Sequence, residues 1–323
     1  MTVSTFPVII SRTPHPRLNK HLMNQIRELT RTNRLVYGCW RLAEEHVEAK
    51  SLIAKAIDSG FRIFDHADIY GNFHAEVLFG DFIRENPAIR KDVFIATKCG
   101  VRKAGSPEPS SPYRFDSSRR YIIESCEASL KRLKVEQIDL YQIHRPDYLA
   151  HPEEVASAFE ELERRGKVRS FGLSNFRPSM VALYQSACPM ALVSNQVEIS
   201  ILQQSRMEDG TLDQCMEKGL LPLAWSPLAA GRLTGGVRRV LRHQEDYHSA
   251  PASDELETLS QKYGVEAPVI AISWLLKHPS GILPIVGTTH PGRLAKLTEA
   301  NQFVLSRDDW YRLLVAGRNQ PLP

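Results

Sequence analysis

Five cysteines are spread through 323 residues, and no two of them form a CxxC pair or a tight cluster. Cys39, Cys99, Cys126, Cys188 and Cys215 therefore offer neither a disulfide framework nor a zinc site, and an odd, scattered set suits reduced thiols in a cytoplasmic setting. No run approaches the roughly 18 apolar residues that a membrane span needs. The amino terminus lacks a basic region followed by an unbroken apolar one, which argues against a signal peptide. Nor is there a long block of Lys and Arg interleaved with aromatics, and 41 basic against 37 acidic residues leave a formal charge of only +4. Neither nucleic acid nor a membrane is expected as a partner.

What the chain does have is a rhythm. Residues 1–34 are mixed, with a strand at 5–10, a short helix at 20–30 and no evident chemistry; they read as an amino-terminal segment packed on the rest of the chain. From residue 35 short apolar strands alternate with amphipathic helices. Strands are expected at 35–40, 61–65, 92–98, 139–144, 170–175, 192–198, 221–225 and 282–287. Helices are expected near 44–59, 74–84, 117–133, 152–165, 178–187 and 211–218, then near 253–263, 267–277 and from 291. The stretch 100–116 is a Gly/Ser/Pro-rich loop, and 235–251 reads as an irregular basic insert. Eight strand-then-helix units without a dividing linker imply a parallel sheet closed into a single α/β domain, a (β/α)8 TIM barrel over 35–323. The competing architecture is a doubly wound sheet, and the lack of a GxGxxG after the first strand counts against its dinucleotide-binding form.

In such a barrel function sits where strands end and loops begin. The strand ends here are Trp40, Asp65, Lys98, His144, Ser174-Asn175, Gln196, Trp225-Ser226 and Gly287-Thr288, almost all able to hydrogen-bond, ionise or stack. The chain turns on the stretch FRIFDHADIYGNFHAEVLFG at 61–80, where a strand ends in Asp65, His66 and Asp68, Tyr70-Gly71 turns the backbone, and Glu76 enters the next helix. A tyrosine has an ordinary pKa near ~10, too high for an efficient proton donor at neutral pH. Lys98 beside Tyr70 would draw that phenol down, and Asp65 would keep a buried lysine charged. His144 could donate to a carbonyl oxygen. A phenol donor, a tuning cation and no metal cluster together suit carbonyl reduction by an external hydride source. The plain alternative is a barrel-stabilising ion pair with an ordinary core histidine and loop tyrosine. His66 and His74 have no second carboxylate or cysteine at ligand spacing, so they read as packing or solvent-facing residues and not as metal ligands.

These segments resemble the aldo-keto reductases. FDHADIYG is similar to the family segment carrying its catalytic Asp and Tyr, which implies those roles for Asp65 and Tyr70. ATKCG implies the catalytic lysine at Lys98, and YQIHRPD the histidine at His144. GLSNF, NQVEIS, WSPLAAGRL and PIVGTTHPGRL resemble the family's cofactor segments in the expected order, and the wording is closest to a bacterial-type subgroup. The resemblance spans about 35–314 and implies NADPH-dependent reduction of a small aldehyde or ketone. Ser174, Asn175 and Gln196 would then hold the carboxamide, and Trp225, where many members carry Tyr, would stack on the nicotinamide. Ser226, Leu228, Gly231 and Arg232 would line the pyrophosphate, and Gly287 would also belong to the cofactor site. Thr288 and Arg293 would meet the 2′-phosphate of NADPH/NADP+, an arginine fork suiting a phosphate dianion. Lys296 and Leu297 stand where many members carry Glu and Asn. Trp40 and Tyr113 are expected as pocket walls, and specificity should lie in the loops after Trp40, Gly100 and Gly231 and in the carboxyl-terminal tail. The alternative is an NADPH-binding regulatory subunit with little turnover, like the potassium-channel beta subunits.

Overall fold

Period-two alternation along the strands builds the wall of the molecule. The computed structural model describes residues 20–44, 47–235 and 241–323. Its strands are β1 (Val36–Gly38), β2 (Ile63–Asp65), β3 (Phe94–Cys99), β4 (Val101–Arg102), β5 (Arg114–Phe115), β6 (Leu140–Ile143), β7 (Phe171–Ser174), β8 (Leu192–Glu198), β9 (Leu221–Trp225) and β10 (Leu283–Val286). Eight of them close into a parallel barrel in the order β1-β10-β9-β8-β7-β6-β3-β2. That is the (β/α)8 barrel expected from the sequence, and every expected barrel strand is present. Along each strand one parity faces the barrel interior, where Val36, Ile63, Phe94, Ala96, Leu140, Leu223, Leu283 and Ile285 form one cluster. The other parity, including Tyr37, Phe64, Ile95, Tyr141, Phe171 and Val286, packs outward against the helices. Two apolar faces per strand are what a sheet buried on both sides requires.

Two close approaches depend on glycine. A Cβ on Gly172, at the interior of β7, would sit 2.1 Å from Ser194 Oγ of the neighbouring strand. A Cβ on Gly80 would sit 2.1 Å from the Arg132 carbonyl, so helix His74–Glu85 and helix Arg119–Leu133 touch backbone to backbone there.

The expected helix at 20–30 runs Lys20–Leu29 and delivers Ile26 into the barrel-interior cluster, at the end where the strands begin. The strand expected at 5–10 lies outside the described residues, as does 236–240 of the basic insert. The helix expected from residue 44 begins only at Ala49. Within the loop 100–116 the structure places a two-stranded antiparallel ladder, β4 with β5, that the Gly/Ser/Pro content concealed. The tail is likewise a helix, Arg307–Arg318. Trp310 stacks on Trp274 at 5.0 Å and 12°, and each indole N–H donates to the other's carbonyl, at 3.0 and 2.9 Å. Such a pair adds about 0.5–1.5 kcal/mol beyond area burial. All five cysteines are buried and free. No described helix is long and apolar enough to cross a membrane.

Candidate active site

Inward parity carried past the apolar layers brings a set of polar residues to the carboxyl end of the barrel. Asp65 ends β2, Lys98 lies near the end of β3, and His144 follows β6, and these three strands are neighbours. Lys98 is fully buried. Its ammonium donates to both Asp65 oxygens, at 2.8 and 2.9 Å, and to the His66 carbonyl at 2.5 Å. Burial pulls Lys98 toward neutrality, but Asp65 and Tyr70 outweigh it and hold its pKa above the ordinary lysine value. The lysine is therefore a fixed cation.

Beneath the pair runs a polar layer of which reading the sequence found only Gln196. Gln196 Nε2 donates to Asp65 Oδ1 at 2.8 Å and approaches Gln142 Oε1 at 3.5 Å. Gln142 Nε2 in turn donates to the Leu173 carbonyl and to Ser194 Oγ, both at 3.1 Å. Gln142 could have been found from parity alone, since it sits between inward Leu140 and His144 in LYQIH.

Tyr70 reaches the same spot from the loop after β2. The Lys98 ammonium lies 5.1 Å from its ring centroid, and the His144 ring meets it edge-on at 6.0 Å and 81°. Burial raises the Tyr70 phenol above its ordinary pKa, and the opposing pull of Lys98 does not overcome it. The expected tuning by Lys98 is present in sign, but its net result is corrected: desolvation of the phenolate is the larger effect. His144 is pushed well below its ordinary value by burial first and by Lys98 and Arg145 after it, so its imidazole is neutral, with Nδ1 unpartnered. A neutral imidazole can hydrogen-bond a carbonyl without bringing a third charge into the site.

The backbone behind Tyr70 is strained. Gly71, Asn72 and Phe73 all have positive φ, at 54°, 55° and 71°. For a phenylalanine that conformation is costly and needs support from its surroundings. The Phe73 ring has it, with Lys103 and Arg132 at 5.6 and 5.4 Å from its centroid. Arg132 also donates to Glu76 at 2.7 Å, and Glu76 accepts from Thr97 at 2.6 Å, so the helix after the loop is tied to β3. Asp68 is buried against Glu76, and burial together with that neighbouring carboxylate pushes its pKa up to about 7. It lines a 410 Å³ cleft behind the loop with Phe73, Arg102, Tyr121 and Arg132. Of the two histidines set aside in the sequence, His66 is fully buried edge-on to Phe79, and His74 is exposed.

The remaining strand ends continue round the barrel through β7, β8, β9 and β10. Ser174 Oγ donates to the Gln196 carbonyl at 3.0 Å, and Asn175 Nδ2 donates to the His144 carbonyl and to Ser174 Oγ at 3.1 and 2.9 Å. Trp225 Nε1 donates to Asn175 Oδ1 at 3.0 Å, which fixes the plane of the half-buried indole. Asn175 and Ser226 both have positive φ, at 66° and 54°, followed by Ala229 and Ala230 at 49° and 56°. Backbone strain of this kind clusters where a ligand dictates the chain's path. Ser226 Oγ accepts from Ala230 N–H at 3.0 Å, Leu228 packs between the two outer core clusters, and Arg232 donates to the Glu245 carbonyl at 3.2 Å. Thr288 Oγ1 accepts from His290 N–H at 3.1 Å, ahead of helix Pro291–Thr298, whose first turn exposes Arg293. Lys296 pairs with Glu299, just past the end of that helix, at 3.1 Å, and Leu297 is buried.

Neither expected pocket wall is enclosed. Trp40 is 41% exposed, covers Gly287 so closely that a Cβ there would be 2.8 Å from its Nε1, and carries Arg41 at 5.5 Å. Tyr113 is 60% exposed and meets Phe115 of the hairpin edge-on at 6.0 Å. Two further residues were not singled out from the sequence. Glu198, ending β8, accepts from His243 at 2.7 Å, Gln244 at 2.6 Å and Tyr247 at 3.2 Å, and so ties part of the basic insert to the barrel mouth. Arg145, directly after His144, lays its guanidinium 5.6 Å over the Trp225 ring.

Known proteins share this barrel. The Aldo/keto reductase family model matches residues 34–314. A 6-dehydroglucose reductase of Novosphingobium aromaticivorans is 40% identical over 298 residues, covering 90% of this chain and 93% of that protein. The uncharacterized oxidoreductase YcsN of Bacillus subtilis is 37% identical over 307 residues, covering 93% and 99%. Among solved structures, the glycerol dehydrogenase of Gluconobacter oxydans superposes with a TM-score of 0.76 at 26% identity, over 90% of this chain and 94% of that one. A thermostable aldo-keto reductase in complex with the inhibitor epalrestat gives 0.73 at 26%, over 88% and 94%.

Proposed function

The chain belongs to the aldo/keto reductase family, and on that premise we propose that it is an NADPH-dependent reductase of a small aldehyde or ketone in which Tyr70 is the proton donor. The observation that carries this reading is the buried Lys98–Asp65 pair with the rings of Tyr70 and His144 against it.

The residues present suit a nicotinamide nucleotide. The fixed indole of Trp225 offers an aromatic surface, and the strained turns at Asn175 and Ser226 expose backbone at the strand ends. Arg293 and Thr288 stand at a helix amino terminus, where a phosphate is favoured. When bound, the nucleotide supplies the hydride. Ser174, Asn175 and Gln196 would orient its carboxamide and Ser226, Leu228, Gly231 and Arg232 its pyrophosphate. Gln196 would do so by its position against Asp65, since its amide donors are already engaged there and at Gln142.

The chain's own residues then divide the proton chemistry. His144, neutral and with a free ring nitrogen, orients the carbonyl oxygen. Negative charge developing on that oxygen is met by the Tyr70 hydroxyl, which donates its proton as the alkoxide forms. Burial leaves Tyr70 protonated throughout the working pH range, so the donor is loaded; Lys98 stabilises the phenolate left behind, and Asp65 holds Lys98 charged. Protein dipoles and one fixed cation thereby replace solvent around the developing charge.

A panel of carbonyl compounds, with 6-dehydroglucose beside plain alkyl and aryl aldehydes, assayed with NADPH and NADH at the nicotinamide absorbance, tests the reading. NADPH should be preferred. Arg293→Ala should weaken NADPH binding by about 1.5–3 kcal/mol, the range for hydrogen bonds to charged groups, and leave NADH nearly unchanged. Equal losses for both nucleotides would remove Arg293 as the phosphate reader. Tight NADPH binding with no turnover across the panel would favour the regulatory alternative.

A further inference from the structure

Arg145 is a partly buried cation without an acceptor among the described residues. It follows His144 at the carboxyl end of β6, and its guanidinium carbon lies 5.6 Å from the Trp225 ring centroid. No carboxylate or carbonyl among the described residues accepts from it. The acids nearby are committed elsewhere. Asp147, two residues on, accepts from the Ser117 and Leu149 N–H groups at 2.7 and 3.0 Å, and Glu198 accepts from His243, Gln244 and Tyr247. Three other half-buried arginines find acceptors. Arg132 has Glu76, Arg90 has Asp139 and the Val93 and Gln137 carbonyls, and Arg34 has the Leu276 and Ile282 carbonyls. Burial pulls the Arg145 pKa down, and the groups that oppose it most are Tyr113 and Tyr70. Arg145 thus lies at the β6 end beside His144, with its guanidinium over the Trp225 ring that ends β9.

An arginine held open in this way, with one face on an aromatic ring, keeps its donor fork available to oxygen acceptors. We propose that Arg145 is a specificity-determining residue that receives the oxygen substituents of an oxygen-rich carbonyl substrate, hydroxyl or oxyanion, while His144 and Tyr70 engage the carbonyl. The proposal rests on the reductase reading and adds the substrate class to it. A plain alkyl aldehyde leaves the guanidinium without acceptors, whereas a polyhydroxylated or carboxylated aldehyde fills them.

The test compares matched substrates, propanal with glyceraldehyde and butanal with succinic semialdehyde, on the parent, Arg145→Met and Arg145→Lys. The parent should favour the oxygen-bearing member. Arg145→Met should raise KM for that member by roughly 10–100-fold, as for lost hydrogen bonds to a charged group. Its kcat, its kcat/KM for propanal and its NADPH affinity should stay within about twofold, and Arg145→Lys should recover part of the loss. A larger loss on glyceraldehyde assigns hydroxyl recognition, and a larger loss on the semialdehyde assigns an oxyanion. A parent without preference, equal losses on plain and oxygen-bearing aldehydes, or an NADPH affinity falling in step would each overturn the proposal. Calorimetric binding of glycerol and succinate to the NADPH complex separates the two readings. Binding that Arg145→Met abolishes, in a protein that reduces nothing, keeps this subsite and removes the reductase. Absence of binding together with a parent that reduces all four aldehydes equally removes the subsite and keeps the reductase.

Discussion

At the scale of single residues the site is a problem of buried charge. Lys98 sits where water cannot reach it, and its two-oxygen contact with Asp65 is what makes the charge tolerable. Lys98→Met removes one partner and strands the other, so stability should fall by roughly 3–5 kcal/mol, and Tyr70 should lose the pull of Lys98 toward a lower pKa. Denaturant titration beside a kcat profile over pH checks both; a variant as active as the parent at every pH takes Lys98 out of the mechanism. Asp68 makes a different prediction. Its carboxyl is raised from an ordinary 3.8 to about 7 by burial and by Glu76. The folded state therefore binds a proton that the unfolded chain has already released between those values. This contribution is fully present below pH ~4 and is lost as pH rises through 7, by on the order of 4 kcal/mol. Asp68→Asn should abolish that slope, so the variant gains on the parent as pH rises from 4 to 8. Parallel unfolding curves at all pH values would show that Asp68 titrates normally.

At the scale of elements, much was legible because a strand has period two. Once Ile63, Phe94 and Leu140 are taken as facing inward, Asp65, Lys98 and His144 follow on the same side, one above another on three adjacent strands. The same parity reaches Gln142, which the sequence reading passed over. What parity cannot reveal is how a loop closes. The hairpin in 100–116 has strands of only two residues, too short for alternation to register. The packing of the tail 307–318 rests on Trp274, whose stacking on Trp310 exists only in the finished fold. Arg145 was visible as a cation just past a strand end, but its lack of a partner is a property of the packed molecule alone. The turn after Tyr70 shows the limit most clearly, since Gly71 and Asn72 suit a positive φ but nothing announces one at Phe73. Gly71→Ala would place a Cβ at φ 54°, 2.4 Å from that of Ala43. The expected result is a loss of about 1–3 kcal/mol in stability and a larger proportional loss in kcat, with NADPH affinity little changed. Differential scanning calorimetry and steady-state kinetics read both, and a variant with the parent's kcat would mean that Tyr70 does not depend on this turn.

At the scale of the whole molecule the barrel has two ends with different duties. At the amino-terminal end Ile26 plugs the interior and Arg169 donates to Gln25 at 2.6 Å. At the carboxyl end the strands terminate in polar residues facing one mouth. Ile26→Ala should cost about 2–5 kcal/mol through the cavity it leaves, measured by urea unfolding, and should leave kcat/KM unchanged because the chemistry lies at the other end. A fall in kcat/KM at temperatures where the variant is fully folded would contradict that division. The central claim, that this carboxyl-end mouth reduces carbonyls with Tyr70 as proton donor, is tested most directly by single-turnover hydride transfer from bound NADPH in the parent and in Tyr70→Phe. Nucleotide affinity is titrated by fluorescence on the same preparations. Removing one hydroxyl while keeping the ring should leave NADPH affinity within about twofold. Transfer should slow by roughly 10²–10⁴-fold, the usual contribution of a general acid, with any remaining rate showing the pH dependence of a substitute donor. A Tyr70→Phe protein that binds NADPH normally and transfers hydride at the parent's rate would contradict the account.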